Sequence, residues 1–346
     1  MSATAPRSST SSARLRRADC TGPGLQRRRH GRGFVYLDPD GERIDDPEVL
    51  QRIHELVIPP AWQDVWICPY PGGHIQATGI DQAGRKQYLY HPRWRARRDH
   101  QKFEDMVVFA KALPALRDKI EAELQRGGMD RDRVLACAVR LLDRGFFRVG
   151  GEDYADTNNS YGLATMLKKH VRLRGDVLIF DYPSKHGKRR VQAVVDPLVA
   201  DVIAQLKKRS GGGPELLAYR EGRRWVDVRS EDINEYLKAA TGEDISAKDF
   251  RTWGATVLAA VALAVSGAVA ATQTGRKRAI SRAVKEVAHY LGNTPAVARA
   301  SYIDPRVFDR YRDGRTIGGA LNLVGADGDA TAIQGPVEEA VLDLIT

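Results

Sequence analysis

Tyr302 carries a phenol, a group that can act as a nucleophile in enzymes. It lies in the stretch LGNTPAVARASYIDPRV, residues 291–307. Thr294 is a good N-cap and Pro295 suits the first helical position, while Gly292 is expected to close the preceding helix. A tyrosine on such a helix is more often a core residue than a reactive one. Its function therefore depends on the residues that the rest of the chain brings to it.

Four cationic side chains occur in three other stretches. Arg148, in DRGFFRVGGEDY, follows an apolar helix and precedes two glycines, where the backbone can approach a ligand closely. Lys185, in DYPSKHGKRRV, is expected at a hairpin tip, from which a long side chain can reach outward. Lys248 and Arg251, in KDFRTWGA, are spaced i, i+3 on the first turn of a helix and so share one face. Each alone is weak evidence, because an arginine at a helix end more often forms an ion pair.

The types and order of these residues resemble those of the type IB DNA topoisomerases, in the small form shared by poxviruses and bacteria. The resemblance runs from about residue 20 to residue 320. In the N-terminal part, IPPAW (58–62) and GRKQYLYH (84–91) are similar to the family's DNA-clamping domain. Further along, FFRVG, SKHGK, KDFRTWG and LGNTP…SYI are similar to its catalytic motifs in their usual order.

The resemblance implies a role for each matched residue. Arg148 and Arg251 look like the two guanidiniums that hold the scissile phosphate, and Tyr302 looks like the nucleophile. Lys185 resembles the general acid, although Lys188 is close enough in the hairpin to be the alternative. The reaction so implied is relaxation of supercoils by transient single-strand cleavage through a 3′-phosphotyrosyl intermediate.

Further positions follow from the same resemblance. Lys248 looks like an accessory lysine on the phosphate side, and Arg85, Tyr88 and Tyr90 look like contacts to the DNA major groove. Most relatives have a histidine where this chain has Asn293, nine residues before the tyrosine. This departure concerns the strength of one contact to the phosphate and leaves the reaction class unchanged.

No ATP, metal or other cofactor is expected. A phosphotyrosyl bond is similar in energy to the phosphodiester that is broken, so cutting and resealing need no ATP. The sequence contains neither GxxxxGK[ST] nor HExxH. In this reading the cationic side chains do the work that divalent ions do in other phosphoryl-transfer enzymes.

The charge balance points to double-stranded DNA as the partner of an expected monomer. Net charge is +10 and the pI is near 9.5, which favours a polyanion. Residues 84–102 hold seven Lys or Arg against one Asp and interleave Tyr88, Tyr90 and Trp94. Aromatic side chains among cations are typical of a nucleic-acid surface more than of a solvated face.

The expected compartment is the cytoplasm, at the nucleoid. Three cysteines with no CxxC pair fit a reducing environment, and the first thirty residues carry Arg and Ser instead of an apolar signal. The apolar run at residues 255–271 is rich in alanine and glycine and is marginal for a bilayer, so it is predicted to be a buried helix.

The predicted fold is α+β: a small strand-rich N-terminal domain and a larger, mainly helical catalytic domain with a three-stranded sheet, closing as a clamp on DNA. The sequence is expected to divide into four regions. They are a disordered basic arm (1–25), the DNA-clamping domain (26–95), the catalytic domain (96–322) and an acidic C-terminal tail (323–346).

Two other classes of protein were weighed. A tyrosine recombinase shares the nucleophile and the arginines, but usually has His-x-x-Arg where Lys248 and Arg251 stand, and its N-terminal domain is helical. A non-enzymatic DNA-binding protein would explain the charge and the aromatic residues, since phosphate contacts supply most non-specific affinity. It would leave the ordered catalytic motifs unexplained.

Overall fold

The computed structural model describes residues 14–151, 159–267, 272–324 and 334–346, except the side chains of residues 186, 323 and 324. The chain divides into two compact units, Met1–Lys102 and Phe103–Thr346. The start of the predicted basic arm and residues 325–333 of the predicted acidic tail lie outside the described residues. The strand-rich first unit and the helical second unit with small sheets agree with the predicted fold class.

The first unit is built on one antiparallel sheet in the order β2-β1-β3-β4-β5. Helix α1 (Pro47–Glu55) begins at Asp46, whose carboxylate accepts hydrogen bonds from two backbone N–H groups, as predicted. Its buried Ile53 belongs to the small apolar core of this unit. The five strands are β1 (Leu25–His30), β2 (Gly33–Leu37), β3 (Gln63–Ile67), β4 (Ile75–Ile80) and β5 (Lys86–Tyr90).

The IPPAW motif is held by Arg27, a half-buried arginine of strand β1. The guanidinium of Arg27 donates to the carbonyls of Ile58 at 3.1 Å, Pro59 at 3.0 Å and Trp62 at 2.8 Å. A proline-rich loop has few N–H donors of its own, so these contacts satisfy carbonyls that the loop cannot pair internally. The motif therefore has a structural function in this unit.

Part of the predicted arm is hydrogen-bonded within the first unit. The Arg16 N–H donates to the Gly72 carbonyl, the Ala18 N–H donates to Nδ1 of His74, both at 2.9 Å, and the Trp66 ring N–H donates to the Gly22 carbonyl at 3.1 Å. Residues 16–22 thus have fixed partners, although the sequence had indicated disorder up to residue 25. The Arg/Ser composition does not reveal these backbone contacts.

The second unit packs helices around α6. The apolar run predicted as a buried helix at residues 255–271 is helical to Val265 and contributes to the core up to Leu263, whereas Val265 is exposed and residues 268–271 lie outside the described residues. Thr256, Ala259 and Leu263 of α6 are buried. No helix in the described part of the chain is long and apolar enough to cross a membrane. The helices are α2 (Pro92–Gln125), α3 (Arg131–Gly145), α4 (Pro197–Lys208), α5 (Ser230–Thr241), α6 (Ala247–Val265), α7 (Gln273–Leu291), α8 (Pro295–Ser301), α9 (Pro305–Arg312), α10 (Gly318–Val324) and α11 (Pro336–Ile345).

Two small antiparallel sheets complete this unit. The predicted three-stranded sheet is confirmed, and it runs β6-β7-β8 with a short 3₁₀ turn at Lys185–Gly187. The β9-β10 hairpin was not predicted, because its polar sequence YREGRRW lacks the apolar alternation of a half-buried strand. These strands are β6 (Val171–Arg174), β7 (Val177–Pro183), β8 (Arg189–Val195), β9 (Ala218–Glu221) and β10 (Arg224–Asp227).

Candidate active site

Tyr302 ends helix α8 and is fixed between two helix caps. Its N–H donates to the Ala298 carbonyl at 3.0 Å, and its own carbonyl lies 3.4 Å from the Thr256 hydroxyl, which donates its proton to the Thr252 carbonyl at 2.9 Å. The same hydroxyl oxygen accepts from the N–H of Asp304, the fully buried N-cap of α9, at 3.2 Å. Thr294 and Pro295 start α8 as predicted. The tyrosine backbone is therefore anchored to α6 by one buried threonine.

Arg251 lies on the first turns of α6 and is almost completely buried, with 3% of its surface exposed. It donates to the carbonyl of Phe146 at 2.5 Å and to the carbonyl of Leu291 at 2.9 Å. Its guanidinium carbon is 5.3 Å from the centre of the Tyr302 ring. One side chain thus ties the ends of α3 and α7 together beside the phenol.

Arg148 follows the end of α3, where Phe146 has a left-handed backbone conformation. Its guanidinium donates to the Gly292 carbonyl at 3.2 Å and to Oδ1 of Asn293. The first glycine after it, Gly150, lets two backbone segments approach each other closely. Gly150 has φ +91°, and a Cβ added at Gly162 would lie 2.4 Å from the Gly150 backbone.

Asn293 follows Gly292, whose φ of +62° closes α7 as predicted. Because the Arg148 guanidinium can only donate, the Asn293 amide must turn its oxygen toward it. The amide nitrogen Nδ2 then points elsewhere, and it is buried with no hydrogen-bond partner among the described residues. Nε of Arg251 is a second such donor. Two buried N–H groups beside Tyr302 are thus available to an oxygen-rich ligand.

The phenol is more acidic than an ordinary tyrosine. Burial is the largest single influence and would raise the pKa of Tyr302. The charge and hydrogen bond of Arg251, together with the charges of Arg148 and Lys248, outweigh it, so the pKa is lowered. In return, burial and the nearby charge of Arg148 lower the pKa of the Arg251 guanidinium to about 10. The site favours negative charge on the tyrosine oxygen and on whatever binds next to it.

Lys185 and Lys188 occupy the predicted turn between β7 and β8, and both are exposed. A cavity of about 610 Å³ beside this turn is lined by Lys188 together with Gly292 and Asn293, whereas Lys185 is not among its lining residues. The Lys188 carbonyl accepts from the Ser184 N–H at 2.8 Å and from its hydroxyl at 2.9 Å. The turn thus faces the site, and both lysines stay candidates for the proton donor.

Lys248 is exposed on the first turn of α6, one turn before Arg251. Helix α6 starts at Ser246, and Asp249 accepts from the Ser246 N–H at 2.8 Å, which is the predicted capping box. The cap fixes the rotation of this turn, so that the Lys248 charge acts on the Tyr302 phenol.

Arg190 and Gln192, on strand β8, were not singled out from the sequence. The Arg190 guanidinium donates to the Tyr290 carbonyl at 2.6 Å, and the Gln192 amide donates to the Gly145 carbonyl at 2.9 Å. They join the same two helix ends that Arg251 joins. The only signal in the sequence was the basic run KRRV, in which nothing distinguishes one arginine from another.

The three residues predicted to read DNA lie on or next to β5, the edge strand of the first unit. Tyr88 and Tyr90 are 42% and 41% exposed and stack with ring centres 6.1 Å apart. They share one face because strand residues alternate. Arg85 forms an ion pair with Asp81 at 2.9 Å, so its charge is already partly compensated.

Comparison with known proteins places the chain in a family. The sequence model described as eukaryotic DNA topoisomerase I, catalytic core, matches residues 91–315, and the model described as bacterial DNA topoisomerase IB, N-terminal domain, matches residues 33–81. The chain is 30% identical over 298 residues to DNA topoisomerase 1B of Acanthamoeba polyphaga mimivirus, covering 84% of this chain and 88% of that protein. The chain belongs to the type IB DNA topoisomerase family.

Other relatives of this topoisomerase come from poxviruses. DNA topoisomerase 1B of vaccinia virus (strain Copenhagen) is 21% identical over 285 residues, covering 80% of this chain and 86% of that protein. DNA topoisomerase I of monkeypox virus matches to the same extent. The family resemblance read from the sequence is confirmed, the chain is an isomerase of this class, and the tyrosine recombinase is set aside.

Proposed function

We propose that this topoisomerase relaxes supercoiled double-stranded DNA through a covalent 3′-phosphotyrosyl intermediate on Tyr302. The observation that supports this most directly is the convergence of Tyr302, Arg251, Arg148 and Asn293, with two buried N–H donors that have no partner among the described residues. A phosphate oxygen is the acceptor that such a cluster of donors suits.

In the cleavage step the Tyr302 phenol loses its proton to water, its oxygen attacks the scissile phosphorus, and the bond to the 5′-oxygen breaks. Negative charge grows on the non-bridging oxygens, where Arg148 and Arg251 donate hydrogen bonds and stay charged. Fixed donors aimed at such charge each contribute about 3 kcal/mol. Asn293 adds a neutral donor through Nδ2, held in place by Arg148.

The leaving 5′-oxygen takes its proton from a lysine of the β7–β8 turn, Lys185 in this proposal and Lys188 in the alternative. An ammonium can release a proton near neutral pH when other cations surround it, whereas an arginine cannot. Religation reverses both transfers: the 5′-hydroxyl attacks the phosphotyrosine, the lysine takes back the proton, and Tyr302 is released. Because bond energy is conserved in the phosphotyrosine, no ATP enters the cycle.

The partner of this site is double-stranded DNA, which we propose the protein holds as a monomer at the nucleoid, with the two units acting as a clamp. Exposed Tyr88 and Tyr90, with Arg85 beside them, are proposed to contact the major groove. Changing Tyr88 to Ala should lower DNA affinity yet leave the single-turnover cleavage rate at saturating DNA nearly unchanged. Equal loss of both would argue for a role at the active site.

The deciding experiment is a denaturing gel of the protein with end-labelled nicked duplex. Wild type should retain label on the 3′-phosphate side as a covalent adduct. The Tyr302→Phe variant should bind the duplex with normal affinity but form no adduct and relax no plasmid, while Tyr290→Phe, a change at an exposed tyrosine of α7, should act like wild type. Relaxation by Tyr302→Phe would refute the proposal.

A further inference from the structure

Arg190 joins two segments of the site and keeps one donor free. Nη2 of Arg190 holds the Tyr290 carbonyl at 2.6 Å, and its Nε donates to Oε1 of Gln192 at 2.5 Å. Gln192 in turn holds the Gly145 carbonyl at 2.9 Å. The remaining nitrogen, Nη1, makes no hydrogen bond within the described part of the chain. The guanidinium is therefore fixed in direction, and one of its amino groups is unused.

The free nitrogen lies next to the residues that precede Tyr302. A Cβ built at Gly292 would be 2.9 Å from Nη1 of Arg190 and 3.8 Å from Nη1 of Arg148, so both groups flank the same glycine. Arg190 also lines the 610 Å³ cavity with Lys188 and Asn293. A side chain at Gly292 would fill the space between the two guanidiniums.

The charge of Arg190 has no carboxylate partner among the residues that the structure describes. Burial lowers the pKa of its guanidinium, and although the Tyr182 phenol acts in the opposite direction, the charge of Arg148 lowers it further. A half-buried cation close to other cations is costly to the fold unless an anion offsets it. An uncharged side chain of similar length would pack at this position without that cost. The charge of Arg190 therefore points to an anionic ligand.

We propose that Arg190 binds the DNA phosphate that neighbours the scissile phosphate on the side of the 5′-oxygen. This inference rests on the proposed function of the site. The assignment to this side follows from the hairpin: Arg190 lies on the strand that begins after the turn with Lys185 and Lys188, the proposed proton donors to the leaving oxygen, and it lines one cavity with Lys188.

The contact has a consequence for the swivelling strand. After cleavage the neighbouring phosphate belongs to the released strand that ends in the 5′-hydroxyl. Arg190 forms no covalent bond in the cycle, but it holds this phosphate before cleavage and binds it again when the strand returns. Loss of the guanidinium should therefore slow religation as well as cleavage.

The test measures single-turnover cleavage and religation by wild type, Arg190→Ala and Arg189→Ala on duplexes with one neutral methylphosphonate. Arg189 is the control, because it carries the same charge and also lines the cavity, but its guanidinium pairs with Asp181 at 2.7 Å. With the methylphosphonate directly 3′ of the scissile phosphate, wild type should slow about ten- to a hundredfold, the worth of one charged hydrogen bond. On unmodified DNA, Arg190→Ala should be slower than wild type by the same factor. The methylphosphonate should slow Arg190→Ala no further. Arg189→Ala should have the rates of wild type on both duplexes.

Other outcomes overturn the proposal. Suppose that the rate reductions from Arg190→Ala and from the methylphosphonate multiply, whether the methylphosphonate replaces the 3′ or the 5′ neighbour of the scissile phosphate. Arg190 then binds neither phosphate and only supports the helix ends. If the two rate reductions fail to multiply only when the methylphosphonate replaces the 5′ neighbour, Arg190 binds that phosphate, and its assignment to the side of the leaving 5′-oxygen is wrong. If the methylphosphonate directly 3′ of the scissile phosphate leaves the rates of wild type unchanged, the proposal is overturned whether or not Arg190→Ala folds. Absence of any adduct between wild type and unmodified duplex would overturn the proposed function itself.

Discussion

Replacing Arg251 by glutamine should reverse the direction in which the Tyr302 pKa departs from that of an ordinary tyrosine. In wild type the charge and hydrogen bond of Arg251, together with the charges of Arg148 and Lys248, outweigh burial and lower this pKa. Glutamine keeps most of the burial but removes the charge, so burial should dominate and the pKa should rise above its ordinary value. The phenol of the variant would then stay protonated to a higher pH than that of wild type.

The size of the effect follows from the distance. The Arg251 guanidinium carbon is 5.3 Å from the phenol ring centre, and unit charges that far apart interact by about 3 kcal/mol at an effective dielectric constant of about 20. Loss of that interaction corresponds to about a hundredfold in the cleavage rate, before any loss of phosphate binding is added. Lys248→Gln is the matched control, because its charge also acts on Tyr302 but comes from an exposed side chain, and it should shift the phenol much less.

The assay is a pH titration of the DNA-free protein with ¹³C at the tyrosine hydroxyl-bearing carbon, followed by NMR. The Tyr302 signal is identified by its absence in Tyr302→Phe. It should titrate at lower pH than an ordinary tyrosine in wild type and at higher pH in Arg251→Gln. A Tyr302 that titrates at or above the ordinary value in wild type, or one unmoved by Arg251→Gln, would refute the electrostatic account of the nucleophile.

Three further changes test other parts of the site. A sulfur in place of the 5′-bridging oxygen leaves without a proton, so it should restore cleavage by Lys185→Ala. If it restores cleavage by Lys188→Ala and not by Lys185→Ala, Lys188 is the proton donor. Asn293→Ala should slow single-turnover cleavage less than Arg148→Ala, because a neutral donor contributes less than a charged one, whereas an alanine variant equal to wild type would remove Asn293 from catalysis. Thr256→Val should lower the free energy of unfolding in urea by about 1–3 kcal/mol, because it leaves the buried N–H of the α9 cap unpaired, and an unchanged unfolding curve would contradict that bond.

The local elements could be predicted because their causes lie within a few residues. Asp46, Asp196 and Ser246 start helices through hydrogen bonds that span two or three positions, and the strand pattern of β6 to β8 is equally local. Position 16, in contrast, is paired with Gly72 across more than fifty residues, and composition carries no record of such a contact. The family motifs likewise name candidate residues without their geometry.

The sequence by itself determined which residue types this topoisomerase has for phosphoryl transfer and the order in which they occur. Only the tertiary structure decided that Arg148 meets Asn293, 145 positions away, and that Arg251 is buried against Tyr302. It alone singled out Arg190 from the neighbouring Arg189, because one faces the helix ends and the other pairs with Asp181. The physical reason is that burial and charge proximity set the pKa values and the free donors, and both depend on packing between segments far apart in the chain.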